Sequence, residues 1–165
     1  MRIVSLVFFI FTILSSCKKE ETAYQQMTST LKQHDWFVYS VNTKQFDDIS
    51  NLLLSDTSYI VEDCLQKSLF SFREDSVFER TMYCNFTPPY HDKGEWHLSA
   101  DSMLTSIIWY TPPPASGYTT LNFGFGLTKL LEISNTQLVI RREEIRYDLD
   151  GNRFRNETII SCKSN

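Results

Sequence analysis

The sequence has few of the residues that most often build catalytic or nucleic-acid sites. It contains three histidines and lacks a Gly-x-Ser-x-Gly elbow, a Walker loop and a dinucleotide fingerprint. Its 16 Lys and Arg are outnumbered by 20 Asp and Glu, which disfavours phosphate binding. The spacing of His34, His91 and His97, with Asp92 and Glu95 nearby, fits no common metal-ligand pattern, so we expect all five residues to have turn and surface roles. The sequence therefore predicts a non-enzymatic protein without a cofactor, a metal or a nucleic-acid partner.

Glycine and proline are also scarce, with five of each, and they fall mostly at breaks between short β-type runs. A helical turn at 27–32 leads into the first run at 36–41, and 42–58 is expected to be a long loop. Further runs lie near 59–62, 67–73, 76–84, 94–98, 103–110, 118–133, 137–148 and 153–162. Many short strands without a long amphipathic helix predict an all-β antiparallel fold, and successive hairpins favour an eight-stranded up-and-down barrel.

Long apolar runs are missing except at the start of the chain. Met1-Arg2 is followed by an apolar run over 3–13 that is too short to span a bilayer as a helix. Leu14-Ser15-Ser16-Cys17 comes next and closely resembles the bacterial lipoprotein signal, the lipobox. An ordinary secretory signal with an incidental cysteine is the alternative.

The lipobox resemblance implies that 1–16 is a signal peptide and that Cys17 becomes the lipidated first residue. Residues 17–30 then form a flexible tether, and the acylated terminus holds the protein to a membrane without a spanning helix. Because Lys18 is not the aspartate of inner-membrane retention signals, the resemblance implies an outer-membrane lipoprotein of the cell envelope. The periplasmic face and the cell surface both remain open.

Three cysteines remain for a disulfide in this exported chain: Cys64, Cys84 and Cys162. A three-residue loop at 73–75 would set Phe72 opposite Ser76 and Phe70 opposite Phe78. The same register places Cys64 opposite Cys84 and sends Phe70, Phe72, Phe78 and Met82 to one face. We therefore expect a Cys64–Cys84 disulfide and a buried free Cys162. Pairing of Cys162 with either of the other two is the alternative.

The second half of the chain offers two further patterns. In the run at 118–133, alternation places four apolar residues on one face: Leu121, Phe123, Phe125 and Leu127. In the last hairpin, a two-residue turn at Asp150-Gly151 would set like charges opposite each other. A three-residue loop at 150–152 avoids these pairs and is preferred.

The order of motifs along residues 31–163 resembles the lipocalin-like domain of bacterial envelope lipoproteins. Trp36 precedes a long loop, and Cys64 and Cys84 bracket a hairpin that contains Phe70-Ser71-Phe72. Gly94-Glu95-Trp96 follows, and a Leu-Ser strand junction closes the pattern. Lipocalins proper carry Gly-x-Trp on their first strand, which this chain lacks before Trp36. The resemblance therefore implies a lipocalin-like calycin barrel rather than a true lipocalin.

Two functions remain open at this point. In the first, inward side chains line an apolar cup that binds a small hydrophobic ligand. The candidate lining residues are Phe70, Phe72, Phe78, Met82, Trp96, Leu121, Phe123 and Phe125. In the second, the same side chains fill the barrel, and the protein is a structural or interaction lipoprotein. It would then bind an envelope protein partner through its loops, notably 42–58 and 111–117.

Overall fold

The computed structural model describes residues 22–84, 88–108 and 126–165. Two helices, one 3₁₀ turn and nine strands occupy these ranges. In chain order they are α1 (Ala23–Gln33), β1 (Asp35–Asp47), β2 (Leu53–Tyr59), α2 (Asp63–Gln66), β3 (Leu69–Phe72), the 3₁₀ turn (Glu74–Ser76), β4 (Val77–Met82), β5 (Tyr90–Leu98), β6 (Met103–Ile108), β7 (Gly126–Ile133), β8 (Gln137–Tyr147) and β9 (Arg153–Ser164).

Eight antiparallel strands form a closed ring. The order around it is β1-β3-β4-β5-β6-β7-β8-β9, and β9 pairs with β1 over almost the whole length of both strands. This arrangement confirms the eight-stranded antiparallel barrel that the sequence predicts. Closure removes the unpaired edges that an open sheet would leave.

Of the nine described strands, β2 is the one that lies outside the ring. It pairs with the second half of β1, from Val41 to Phe46, while Asp35 and Trp36 pair with β3. The sequence analysis was wrong here, because it assigned 42–58 to a loop and began the next strand at Tyr59. All seven residues of β2 are exposed, so the strand carries no alternation of buried and exposed positions that would reveal it.

Helix α1 closes one end of the barrel, which we call the α1 end. Thr22 and Gln25 form a capping box at its start, and the Tyr24 hydroxyl donates to the Leu98 carbonyl oxygen at 3.1 Å. The Trp36 indole donates to the Leu31 carbonyl oxygen at 3.1 Å. The helix is longer than the turn predicted at 27–32. Residues 23–30, which the sequence analysis assigned to a flexible tether, therefore belong to the folded domain.

The β3–β4 hairpin is shifted by two residues from its predicted register. Phe72 pairs with Phe78 and Phe70 pairs with Arg80, whereas the sequence analysis placed Ser76 and Phe78 at those positions. Side chains alternate with a period of two, so a two-residue shift leaves every side chain on its predicted face. The aromatic residues of this hairpin therefore still point into the barrel.

The shift arises in the connection between the two strands. The 3₁₀ turn replaces the expected three-residue loop, and the Arg73 amide donates to the Val77 carbonyl oxygen at 2.7 Å. Asp75 and Ser76 have φ values of 56° and 61°. Non-glycine residues rarely adopt such angles, so hydrophobic alternation could not have revealed this turn.

The β8–β9 hairpin also differs from its prediction. Asp148 and Asn152 close a three-residue loop over 149–151, with the Asp148 amide donating to the Asn152 carbonyl oxygen at 3.1 Å. The observed loop therefore begins one residue earlier than the predicted loop at 150–152. The observed register sets Glu143 opposite Glu157, and Arg141 lies within ion-pair distance of both carboxylates.

Candidate ligand site in the barrel interior

The inner face near the α1 end is apolar and closely packed. Its buried residues come from all eight strands of the ring. They include Trp36, Val38, Phe70, Phe72, Phe78, Trp96, Leu98, Leu104, Leu130, Leu138, Ile140, Ile160 and Cys162. Interlocking of these side chains is what keeps a small barrel closed and dry.

Aromatic rings occupy the centre of this packed region. The Phe72 ring lies 5.2 Å from that of Phe78 and 5.6 Å from that of Trp96, measured between centroids. Phe70, Phe72 and Phe78 have no solvent-accessible surface. These three rings are therefore packed on every side and fill this part of the barrel. Their contact with a ligand stays a prediction.

The other predicted lining residues divide into two groups. Met82 and Trp96 are buried, with 8% and 6% of their surface accessible. Leu121, Phe123 and Phe125 lie outside the described residues. On β7, the next residue of the pattern, Leu127, faces outward, while Thr128 and Leu130 face inward.

An ion pair is buried on the inner face, nearer the end opposite α1. Arg80 lies between Phe78 and Met82 on β4 and pairs in register with Asp92 on β5. The Arg80 Nε donates to Asp92 Oδ1 at 3.1 Å, and its Nη2 donates to Oδ2. Both side chains are at least 96% buried. A bidentate pair of this kind holds the guanidinium in one orientation.

Two buried polar atoms on the inner face lack partners. The Arg80 Nη1 and the Ser106 Oγ make no hydrogen bond to any residue that the structure describes. Leaving a buried donor unsatisfied costs about 1–3 kcal/mol, and more when the group is charged. The polar part of the interior therefore has hydrogen-bonding capacity that the described chain does not use.

Sequence analysis missed this polar cluster. Asp92 was assigned to the surface together with His91, His97 and Glu95, but the structure buries Asp92 and leaves the other three exposed. The sequence does indicate that Arg80 points inward. Alternation with a period of two places it on the same face of β4 as Phe78 and Met82. Charged residues are rarely buried unless they are paired, so the inward position of Arg80 could have been used to predict a buried ion pair.

The outer face of the same two strands carries a solvated charge cluster. Glu79 lies 2.7 Å from the Lys93 Nζ and 3.2 Å from the Arg73 Nε. The hydrogen bond from Lys93 is the largest cause that lowers the pKa of Glu79 from its ordinary value. This exposed pair lies directly next to the buried Arg80–Asp92 pair and provides an internal comparison for it.

The two bonded cysteines lie at the edge of the barrel. Cys64 on α2 and Cys84 just after β4 are joined by a disulfide with a Cα–Cα distance of 4.8 Å. The predicted pairing is therefore present, although Cys64 lies on a helix rather than opposite Cys84 on a strand. Glu62 lies beside both sulfurs, but sulfurs bonded to each other supply no thiolate for a metal ion.

Cys162 is a free cysteine inside the barrel. It faces Val38 on β1 and Leu138 on β8, and it has no accessible surface. Burial raises the pKa of its thiol from 9.0 to about 12. Cys162 therefore acts as a small apolar residue of the core.

The end opposite α1 presents an exposed apolar surface. The β1–β2 and β8–β9 hairpins meet there, and the Arg153 Nε lies 2.9 Å from Asp48 Oδ2. Large apolar side chains project into solvent from these hairpins. They are Ile49, Leu52, Leu53, Leu54, Tyr147 and Leu149, which we call the apolar tip. Patches of this kind commonly mark interaction sites.

The fold and interior together define a closed antiparallel β-barrel with a mixed apolar and ionic core. No protein-family model matches the chain, and no curated protein matches it. In the part of the chain that the structure describes, no helix has the length and apolar character to cross a membrane.

Two solved structures are similar to this chain. One is the crystal structure of a lipocalin-like protein from Bacteroides uniformis ATCC 8492, with 13% identity, 82% of this chain and 99% of that chain covered, and a TM-score of 0.49. The other is the crystal structure of an uncharacterized protein from Bacteroides eggerthii DSM 20697, with 13% identity and a TM-score of 0.47. The match covers 80% of this chain and 98% of that chain.

Proposed function

We propose that the protein is a cell-envelope lipoprotein, anchored to the outer membrane through Cys17, whose barrel binds a small apolar ligand without catalysing a reaction. The observation that supports ligand binding is the buried Arg80 Nη1, which belongs to an inward position of β4 and has no partner among the described residues. An eight-stranded barrel is just wide enough either to be filled by side chains or to hold one small ligand. A ligand there would satisfy the donor and exclude water from it.

Native mass spectrometry of the protein purified from its own envelope tests ligand binding. We expect a mass above that of the lipidated polypeptide, and the excess should disappear when the protein is denatured. Identification of the released compound would give the ligand directly. Repeated preparations that contain only the bare lipidated chain would contradict the proposal.

The lipid anchor needs a separate test, because it rests on the resemblance of 14–17 to a lipobox. We expect radiolabelled palmitate to enter the wild-type protein and not Cys17→Ser, which should leave the membrane fraction. Cys162→Ser is the matched control, since it removes another free cysteine and should keep the label. Equal labelling of Cys17→Ser would overturn the anchor.

The apolar tip supports a second candidate function, that of an interaction lipoprotein. Ile49 is 91% exposed and Leu52 is 62% exposed, and they lie on a hairpin far from the packed interior. A photo-crosslinker placed at Leu53 in intact cells should then capture one envelope protein. The same group at exposed His97 should not capture it. This function would replace ligand binding if the crosslink forms and native mass spectrometry shows an empty barrel.

A further inference from the structure

The buried ion pair limits which chemical group a ligand can bring to it. Asp92 accepts from the Nε–H and from one N–H of Nη2, so Nη1 is the one guanidinium nitrogen left without any partner among the described residues. That group can donate hydrogen bonds but cannot accept them. The complementary ligand group is therefore an acceptor, most simply an oxygen.

The charge of the pair decides between a neutral acceptor and an anion. Arg80 and Asp92 are both at least 96% buried and neutralise each other. An anionic head would add a buried charge without a counter-charge, which is strongly unfavourable in a desolvated site. A hydroxyl, ether or carbonyl oxygen accepts the same hydrogen bond without that cost.

The side chains around the pair indicate where the rest of the ligand lies. Phe70, which pairs with Arg80 on β3, and Phe78, one inward position nearer α1 on β4, have no accessible surface. Met82 lies one inward position beyond Arg80 on β4 and retains 8% exposure. Tyr90, which pairs with Met82, is packed against the apolar core but only partly buried. Met82 and Tyr90 are therefore the apolar side chains next to the pair on the side away from α1.

We propose that Arg80 and Asp92 form a subsite for the uncharged oxygen head of an amphipathic ligand, whose apolar body lies against Met82 and Tyr90. The inference rests on the proposed ligand-binding function and names the ligand class. The head enters first and stops at the Phe70 and Phe78 rings.

Three ten-carbon probes that differ only in the head group test the subsite: decanol, decanoate and decylamine at pH 8. Each competes against N-phenyl-1-naphthylamine, an uncharged fluorescent probe of apolar sites. We expect decanol to displace it at a concentration at least about tenfold below that of the other two, because both of those carry a charge into a neutral site.

Two double variants assign the preference to the buried pair. Arg80→Met/Asp92→Leu removes both charges together, and the preference for decanol should fall to less than about threefold. Glu79→Gln/Lys93→Gln removes the exposed pair that lies beside it on the same strands, and the preference should persist. Nitrogen-15 NMR of arginine-labelled wild-type protein provides a readout that needs no folded variant, because decanol should shift the buried guanidinium signals of Arg80.

The outcomes separate the subsite from the broader function. If the fluorescent probe binds but the head groups compete equally, or if the preference survives in Arg80→Met/Asp92→Leu, the subsite is wrong and ligand binding stands. Unchanged guanidinium signals at saturating decanol would also reject the subsite. If the fluorescent probe does not bind and native mass spectrometry finds no ligand, the function and the subsite both fall.

Discussion

Arg80 and Asp92 form a bidentate ion pair across β4 and β5 inside an otherwise apolar barrel. Their neighbours on the outer face of the same strands, Glu79 and Lys93, form a similar pair in solvent. The two pairs share strands, register and charge type but differ in burial. They therefore allow the energetic consequence of burial to be measured within one protein.

We expect the buried pair to be strongly coupled. Arg80→Met leaves the Asp92 carboxylate buried and unpaired, so it should lower the free energy of unfolding by about 3–5 kcal/mol. Arg80→Met/Asp92→Leu should recover most of that loss, because neither charge remains. A double-mutant cycle measured by urea unfolding gives the coupling. The exposed Glu79–Lys93 cycle should give less than about 1 kcal/mol, and similar coupling in both cycles would show that burial is not the cause.

Removing the Cys64–Cys84 disulfide should destabilise the barrel. The bond joins residues 20 apart, and the loop-entropy model gives a stabilisation of about 3 kcal/mol for a loop of this size. We expect Cys64→Ser/Cys84→Ser to unfold at a correspondingly lower urea concentration. Adding reductant to the wild-type protein should produce the same shift and should leave the double variant unchanged. A wild-type unfolding curve that is insensitive to complete reduction would contradict this prediction.

Cys162 should make the stability of the protein sensitive to alkaline pH. The pKa of its thiol is about 12 in the folded protein and 9.0 when exposed. Since the folded pKa is the higher one, the stabilisation is present below pH 9 and is lost as the pH rises toward 12. Between pH 8 and pH 10, wild-type protein should lose about 1.4 kcal/mol more stability than Cys162→Ala. Parallel pH profiles of urea unfolding for the two proteins would refute the assignment.

Gly151 tests the observed register of the last hairpin. It has a φ of 82° in the loop over 149–151, and an added Cβ would meet nothing within 4 Å. A substitution there therefore changes only the backbone energy. Gly151→Ala should cost about 1 kcal/mol, and Gly151→Asn should cost less because asparagine tolerates the left-handed region. Equal unfolding free energies for wild type and Gly151→Ala would indicate a different loop conformation.

Inward-facing aromatic residues could be predicted because strand alternation is a local property. Phe70, Phe72, Phe78 and Trp96 are all buried as alternation requires, even though the β3–β4 register was wrong by two residues. The pairing of Cys64 with Cys84 was also predicted, but for an incorrect geometric reason. Positive-φ turns and the solvent-exposed β2 could not be foreseen, since neither leaves a hydrophobic pattern in the sequence.

By itself, the sequence determined the strand-rich class of this protein, its closure into eight antiparallel strands and the inward side on which Phe70, Phe72 and Phe78 lie. The tertiary structure alone decided that Arg80 finds Asp92, that Nη1 is left without a partner among the described residues, and that the apolar tip projects from the opposite end to α1. The physical reason is the distance along the chain over which each interaction acts. Alternation and turn chemistry act over a few neighbouring residues, whereas the pairing of a buried charge depends on strands that meet only when the barrel closes.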